Sequence, residues 1–352
     1  MTAGADRTAR VWSVDTGNVL FPALAHEARV MAASFSLDGA HLVSVSGNAA
    51  TLWDSATGRR RFELRHAASS AVASAVFGPD GTRIVTAGND QLVKIWDTAS
   101  GRLLAELAHP RAVTFAAFSP DGARIASTCA DGQARIWQGD AALCLRHDDT
   151  VSHAAFRRDG RRIVTASKDK TARIWDVATG APCSSSIRHA EPVRRVAFAP
   201  DGTRIITVSG NAARVWDAAS CRPVLDPLEH RGRVHAASIT GDGALLAVAV
   251  DDGTAWIWDL GSGKPLALPY VHAARVNDVA FSANGTRLAT ASGDSIVRLW
   301  KLVMDDRPFA AWSRLAGRCP YDLLEGILIE RSLPDSLAGA VVLAGTHDEE
   351  SR

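Results

Sequence analysis

Lysine is scarce in this chain, supplying only five of 39 basic residues. With abundant Ala, that bias points to a GC-rich, bacterial genome. Charge of either sign is not in excess: the formal net charge is +1. No global field therefore draws the chain to nucleic acid or to an anionic membrane. The five cysteines, Cys129, Cys144, Cys183, Cys221 and Cys319, are scattered and odd in number. They form no disulfide framework, and reduced, buried thiols in a cytoplasmic protein fit best. No Cys pair has zinc spacing and no His-x-x-x-His occurs, so no metal is expected. The opening MTAGADRTAR lacks a signal-type apolar stretch, and no apolar run reaches membrane-spanning length. A phosphate-gripping Gly loop, a nucleophile elbow and an isolated carboxylate pair are all lacking. The chain is read as non-enzymatic, with no cofactor.

What is present is a period. Trp12, Trp53, Trp96, Trp137, Trp175, Trp216, Trp258 and Trp300 follow one another at 41, 43, 41, 38, 41, 42 and 42 residues. Each ends a short β-like run, such as Val93–Trp96 or Ala172–Trp175, and Asp usually follows. An Asp-Gly or Asn-Gly pair recurs in phase, from Asp38-Gly39 through Asp80-Gly81 to Asn284-Gly285. Such pairs favour the positive backbone angles of a tight hairpin. Apolar strands flank each pair, and another follows a Thr-Gly or Ser-Gly turn and leads to a His. Four short strands per period make one blade of a β-propeller, and a unit of this size buries its apolar faces only by stacking on its neighbours.

The in-phase order of His, strand, Asp-Gly, strand with Ser or Thr, Asp and Trp-Asp resembles the WD40 repeat family over roughly residues 1–302. Seven units run from His to Trp, beginning at His26, His66, His109, His147, His189, His230 and His272. The resemblance implies a buried polar tetrad in each blade. Four units carry it in full: His66, Thr86, Asp90 and Trp96; His109, Ser127, Asp131 and Trp137; His147, Thr165, Asp169 and Trp175; His272, Thr290, Asp294 and Trp300. Units one and five have shortened turns with Asn48 and Asn211 near the Asp position, and unit six has Val248 in place of the hydroxyl. Those blades are expected to hold weaker networks. An Asp, a His and a hydroxyl also suggest a nucleophilic triad, but geometry defines a triad, and a trio repeated around the array reads as a structural staple.

The expected fold is all-β: a seven-bladed WD40 β-propeller over residues 15–302, with a short C-terminal α/β extension at 303–352. Residues 1–14 are a partial repeat, in which Thr2, Asp6 and Trp12 keep the repeat's spacing, and read as the tail of a longer array or multidomain protein, the alternative being a native appendage. The spare outer strand at Val19–Leu24 is expected to close onto the last repeat near Ile296–Trp300. The alternative is an eighth, hybrid blade pairing Ala9–Leu24 with Tyr321–Glu330. In the extension, Phe309–Arg318 reads as a helix after Pro308. Tyr321–Glu330 reads as two short strands or a helical turn, and the whole as a cap with a frayed end.

A repeat ring of this kind is a binding platform, and the resemblance implies a protein–protein interaction scaffold, here a bacterial regulatory module. The alternative is an enzyme or a ligand-binding propeller with its site at the central channel. The expected partner-binding rim is basic. Units two to four place small or neutral residues at the start of the leading strand: Ala71 and Ala73, Ala112 and Thr114, Thr150 and Ser152. The others place Arg194 and Arg195, Arg233 and His235, Arg275, and Arg29. Arginine suits bidentate contact with carboxylate or phosphate, so an acidic or phosphorylated protein segment is the expected partner.

Overall fold

A computed structural model describes residues 1–305, 321–324, 327–330 and 340–344. Every described regular element is a strand. The chain forms two compact units, Met1–Gly210 with Arg214–Val224, and Asn211–Ala213 with Leu225–Arg352.

Each repeat builds its sheet as a meander. In the third sheet Val72–Phe77, Arg83–Gly88, Leu92–Asp97 and Leu103–Ala108 pair antiparallel in chain order. The turn chemistry repeats with them. Gly81 takes φ 70°, while Asp80 stays out of the left-handed region. Asp80 instead accepts a hydrogen bond from the Thr82 N–H at 3.0 Å, and the Gly81 N–H bonds back to the Gly78 carbonyl. The Asp-Gly pair thus closes a type I turn ending in one left-handed Gly, not the two-residue hairpin that the sequence suggests. Where Asp follows the Trp, it has its own task. Asp97 accepts the Ser100 N–H at 2.7 Å, Asp176 that of Thr179 at 2.9 Å and Asp217 that of Ser220 at 2.7 Å. These are side-chain mimics of a backbone turn, and they join the third strand to the fourth.

The described residues hold eight sheets, not the seven blades expected. The additional one is N-terminal: Thr2–Ala3, Thr8–Arg10 and Leu24–Ala25 pair with one another. The strand expected to close onto the last repeat is therefore held locally, with Leu24 opposite Ala9 and Val19 bridged to Trp12. Short loops close at little entropic cost, and the same segment buries Ala9, Val11 and Leu24 against Val30, Leu42 and Trp53 of the second sheet. Ala340–Ala344 instead joins the same strand just past the expected edge, pairing parallel with Lys301–Asp305. Tyr321–Leu324 and Ile327–Glu330 form an antiparallel hairpin whose second strand pairs with Ala340–Ala344. Tyr321–Glu330 is thus strand and not helix, and it joins the last sheet instead of a hybrid with the N-terminus. The helix expected at Phe309–Arg318 lies outside the described residues.

Sheets are joined face to face by apolar clusters. In the first unit Val43, Leu52 and Leu64 of the second sheet meet Val72, Ile84 and Trp96 of the third. Ile136 and Leu145 of the fourth meet Val151, Ile163 and Trp175 of the fifth. In the second unit Leu245 and Ile257 meet Val276, Leu288 and Trp300. Each fully buried Leu or Ile contributes roughly 2 kcal/mol relative to exposure. Trp96, Trp175 and Trp300 are thus wedges, each between its own sheet and the sheet before it. No helix of the described residues is long and apolar enough to cross a membrane. Of the four described cysteines only Cys129 is buried; Cys144 and Cys183 are exposed.

Candidate functional site

The polar residues singled out by the repeat fall into three groups. In the third sheet the histidine bridges both partners. His66 Nδ1 lies 2.8 Å from Asp90, its Nε2 2.8 Å from the Thr86 hydroxyl, and the Trp96 N–H donates to that hydroxyl at 2.9 Å. The fifth sheet repeats this with His147, Asp169, Thr165 and Trp175 at 2.9, 2.7 and 2.8 Å. In the eighth, His272 reaches Thr290 at 2.7 Å and Asp294 at 3.3 Å, and Arg298 sits against both His272 and Asp294. Burial pushes the Asp169 carboxyl up, but hydrogen bonds from Thr171, the Asp148 N–H and His147 outweigh it and hold the group at about 2.

In the second group the acid is absent from the histidine. His109 Nδ1 meets the Leu107 carbonyl at 3.0 Å and its Nε2 meets Ser127 at 2.8 Å. Asp131, expected as its partner, is bound by Arg135 at 2.6 Å. His26 has the same pattern, with the Leu24 carbonyl at 2.9 Å and Ser44 at 2.7 Å. In the third group the histidine has neither partner. Both ring nitrogens of His189 and of His230 are buried without a hydrogen bond, as is the Trp258 N–H beside Val248. Thr207 still receives the Trp216 N–H at 2.9 Å, but the Asn211 amide goes to the His230 carbonyl. Burial drops the pKa of His109, His189 and His230 to about 4. Ser44, Thr86, Ser127, Thr165 and Thr290 are each held between an imidazole and an indole, and Thr207 by an indole alone.

The leading strand of every complete repeat carries a β-bulge just after its first Val. A bulge re-aims the side chains that follow it. In the first unit the residue after the bulge is Ala32, Ser74, Phe115, His153 and Arg195 in five successive repeats, and all five line one cavity of about 400 Å³. One side of the cavity is small, with Ala33, Ala73 and Ala75; the other is aromatic and cationic. The Phe115 and His153 rings lie 4.4 Å apart at 36°. The Thr114 hydroxyl donates to the Val151 carbonyl at 2.6 Å, and Ser74 accepts the Ala116 N–H at 3.1 Å. These bonds tie each strand to its neighbour and fix the cavity wall. No Asp or Glu lines it.

Of the rim residues expected from sequence, Arg194 and Arg195 line this cavity. Arg29 is exposed ahead of Val30–Phe35 and is not among the residues lining the cavity. In the second unit Arg233 and Arg275 are exposed and His235 half-buried. His235 meets Asp251 at 2.9 Å, and that bond, with the nearby charges of Arg275 and Arg233, holds the Asp251 carboxyl low. This part of the rim therefore carries its own counter-charge. Phe115 and His153 escape the sequence reading, which stopped one residue earlier at Thr114 and Ser152. The missed signal is the bulge, which makes the third residue of the strand face the cavity.

A model of the WD domain, G-beta repeat matches residues 58–97, 101–138, 142–176, 181–217, 221–259 and 263–301, well over half of the chain. The chain belongs to the WD40 repeat family. The six WD40 matches leave out residues 1–57, which include the first sheet and most of the second. Protein tipD of Dictyostelium discoideum is 28% identical over 103 residues, covering 28% of this chain and 16% of that protein. The matched segment is thus a small part of that relative. The crystal structure of the computationally designed Ika8 protein superposes with a TM-score of 0.73 at 22% identity, over 84% of this WD40 chain and 91% of that one. That likeness shows the fold alone. WD40 propellers are typically scaffolds for protein interaction.

Proposed function

We propose that this WD40 protein is a non-catalytic interaction scaffold, a cytoplasmic regulatory module of a bacterial cell, which holds an acidic or phosphorylated segment of a partner protein. The observation that supports this reading is exposed arginine beside the start of the leading strand in three successive repeats. Arg194 and Arg195 open Val193–Phe198, Arg233 directly precedes Val234–Ile239, and Arg275 directly precedes Val276–Phe281. A planar guanidinium binds carboxylate or phosphate through two parallel hydrogen bonds. The hydroxyls of the repeats are committed to Trp and His, which favours binding over chemistry.

The test is affinity capture followed by mass spectrometry with the native protein and with Arg194→Glu, Arg233→Glu and Arg275→Glu combined. The expected result is loss of the captured partner at an unchanged melting temperature. Capture that survives the reversal, or that is insensitive to salt, would set the reading aside.

A further inference from the structure

The cavity in the first unit has a chemistry that the scaffold reading does not use. Its wall is graded by one structural position. The residue after the bulge runs from Ala32 and Ser74 through Phe115 and His153 to Arg195. The small end leaves the volume open, and the large end supplies two ring faces and a guanidinium. Arg194 and Arg195 bring cationic groups to a wall that carries no carboxylate. A volume of about 400 Å³ is at the small end of ordinary ligand sites. The wall is rigid, because the Thr114 and Ser74 hydroxyls are spent on the backbone of adjacent strands. That spends the ordering cost before any ligand arrives.

We propose that this cavity is a binding site for a carboxylate carried on a flat apolar body, with Arg195 taking the carboxylate and the Phe115–His153 pair taking the flat body. Two sources have this chemistry: a free single-ring aromatic acid, and the C-terminal carboxylate of a chain ending in an aromatic residue. A guanidinium recognises the two oxygens of a carboxylate together. Aromatic rings prefer offset or edge-to-face partners, and both members of the tilted pair line the cavity. His153 fits as the neutral member of the pair. Burial and then the positive charge of Arg195 drop its pKa to about 4, so the imidazole offers a ring face and no second charge at neutral pH. The proposal shares Arg194 and Arg195 with partner capture at the rim and is separated from it by the two rings. Phe115 and His153 have no part in that reading, and their replacement leaves capture unchanged if both readings hold.

The experiment is titration calorimetry on the full chain with phenylacetate, phenylacetamide, and a short peptide ending in Phe as free acid or as amide. Binding of either acid with rejection of its amide supports the site, and which acid binds identifies the source. Arg195→Gln should weaken the acid at least tenfold or so, the usual loss for a charged hydrogen-bonded contact. Phe115→Leu should weaken the acid as well, through loss of ring contact and with Arg195 intact. Ala32→Leu fills the cavity from its small side without touching a charge and should abolish binding, with melting curves checking that each variant folds. Equal affinity for acid and amide, an unaffected Arg195→Gln variant, or no acid binding tighter than about 10 mM overturns the proposal.

Discussion

His147 and His230 hold the same position in their repeats, and both are buried, yet their surroundings differ in kind. His147 is fixed on both sides, by Asp169 at 2.9 Å and Thr165 at 2.7 Å. His230 has no partner on either nitrogen, and the Trp258 indole that should share its hydroxyl is also unbonded. The meander, the turns and the apolar contacts are nonetheless repeated around both. Val276, Leu288 and Trp300 close on Leu245 and Ile257 in one sheet pair, as Val151, Ile163 and Trp175 close on Ile136 and Leu145 in another. Apolar stacking and turn chemistry therefore suffice to build a blade. The tetrad is an addition that removes the cost of buried polar groups, and where one member is lost the others stay buried and unpaid.

The sharpest way to break the difference is to make the good blade resemble the poor one. Thr165→Val keeps the shape but strips the hydroxyl from both His147 and Trp175. Two buried groups then lose their partner, so unfolding free energy should fall by roughly 2–4 kcal/mol in chemical denaturation. The same change at Thr86 should match it. A loss below about 0.5 kcal/mol would mean that water reaches these nitrogens and that the tetrad is not a buried network.

Acid should separate the blades next. His109, His189 and His230 have folded pKa values of about 4, below the ordinary value of 6.5. The unfolded chain then binds protons that the folded chain refuses. Stability is whole above pH 6.5 and declines as the pH falls from there toward 4, by at most about 3 kcal/mol per histidine. The effect is measured by denaturation at a series of pH values. His230→Gln and His189→Gln should each flatten the decline, since an amide does not titrate. A slope unchanged in both variants would place the acid sensitivity elsewhere.

A smaller effect should distinguish two carboxylates that look alike in sequence. Asp169 binds its histidine, whereas Asp131 is held by Arg135 at 2.6 Å. Asp169→Asn should cost roughly 1–2 kcal/mol and lower the pKa of His147, which Asp169 holds up against burial. Asp131→Asn should leave the His109 ring signals nearly in place in an NMR titration, because the Leu107 carbonyl takes Nδ1. A large shift at His109 would show that Asp131 exchanges between the two partners.

The repeat, its strands and its turns were legible because a fixed period repeats one physical problem seven times, and each solution confirms the others. The number of sheets was not. Residues 1–25 hold only part of a repeat, and sequence phase alone cannot say whether Val19–Leu24 pairs locally or with a distant edge. Local closure prevailed, through Leu24 against Ala9. The tetrads illustrate a second limit. Spacing put Asp131 where Asp90 and Asp169 stand, but Arg135, four residues on, holds that carboxylate at 2.6 Å, whereas Arg173 and Arg298 in the matching place reach Asp169 and Asp294 without displacing His147 or His272. Lys94 occupies the matching place beside Asp90 and pairs with Glu106 instead, leaving Asp90 to His66. For the cavity, the limit was register. The bulge brings the third residue of the strand to the cavity beside the second, and nothing in Val113–Phe118 or Val151–Phe156 announces it.

The finest test of the comparison repairs the poor blade. Val248 stands opposite Trp256 on the strand that follows the leading one, where other repeats carry Thr or Ser. Val248→Thr changes one methyl to a hydroxyl at nearly constant volume. At an ordinary buried site that exchange is unfavourable, because a hydroxyl enters an apolar interior without a partner. Here two orphaned groups, the His230 ring and the Trp258 N–H, wait on either side. In the third and fifth sheets the same hydroxyl bonds to both. The two new hydrogen bonds should outweigh the desolvation of one hydroxyl and raise stability by about 1 kcal/mol, measured as a shift in denaturation midpoint at constant slope. The ring signals of His230 should move at the same time, since Nε2 gains a partner. Destabilisation, with the His230 signals unmoved, would show that the two groups lie too far apart for one hydroxyl to bridge. The seventh sheet would then have rearranged around Val248 and would not simply lack an oxygen.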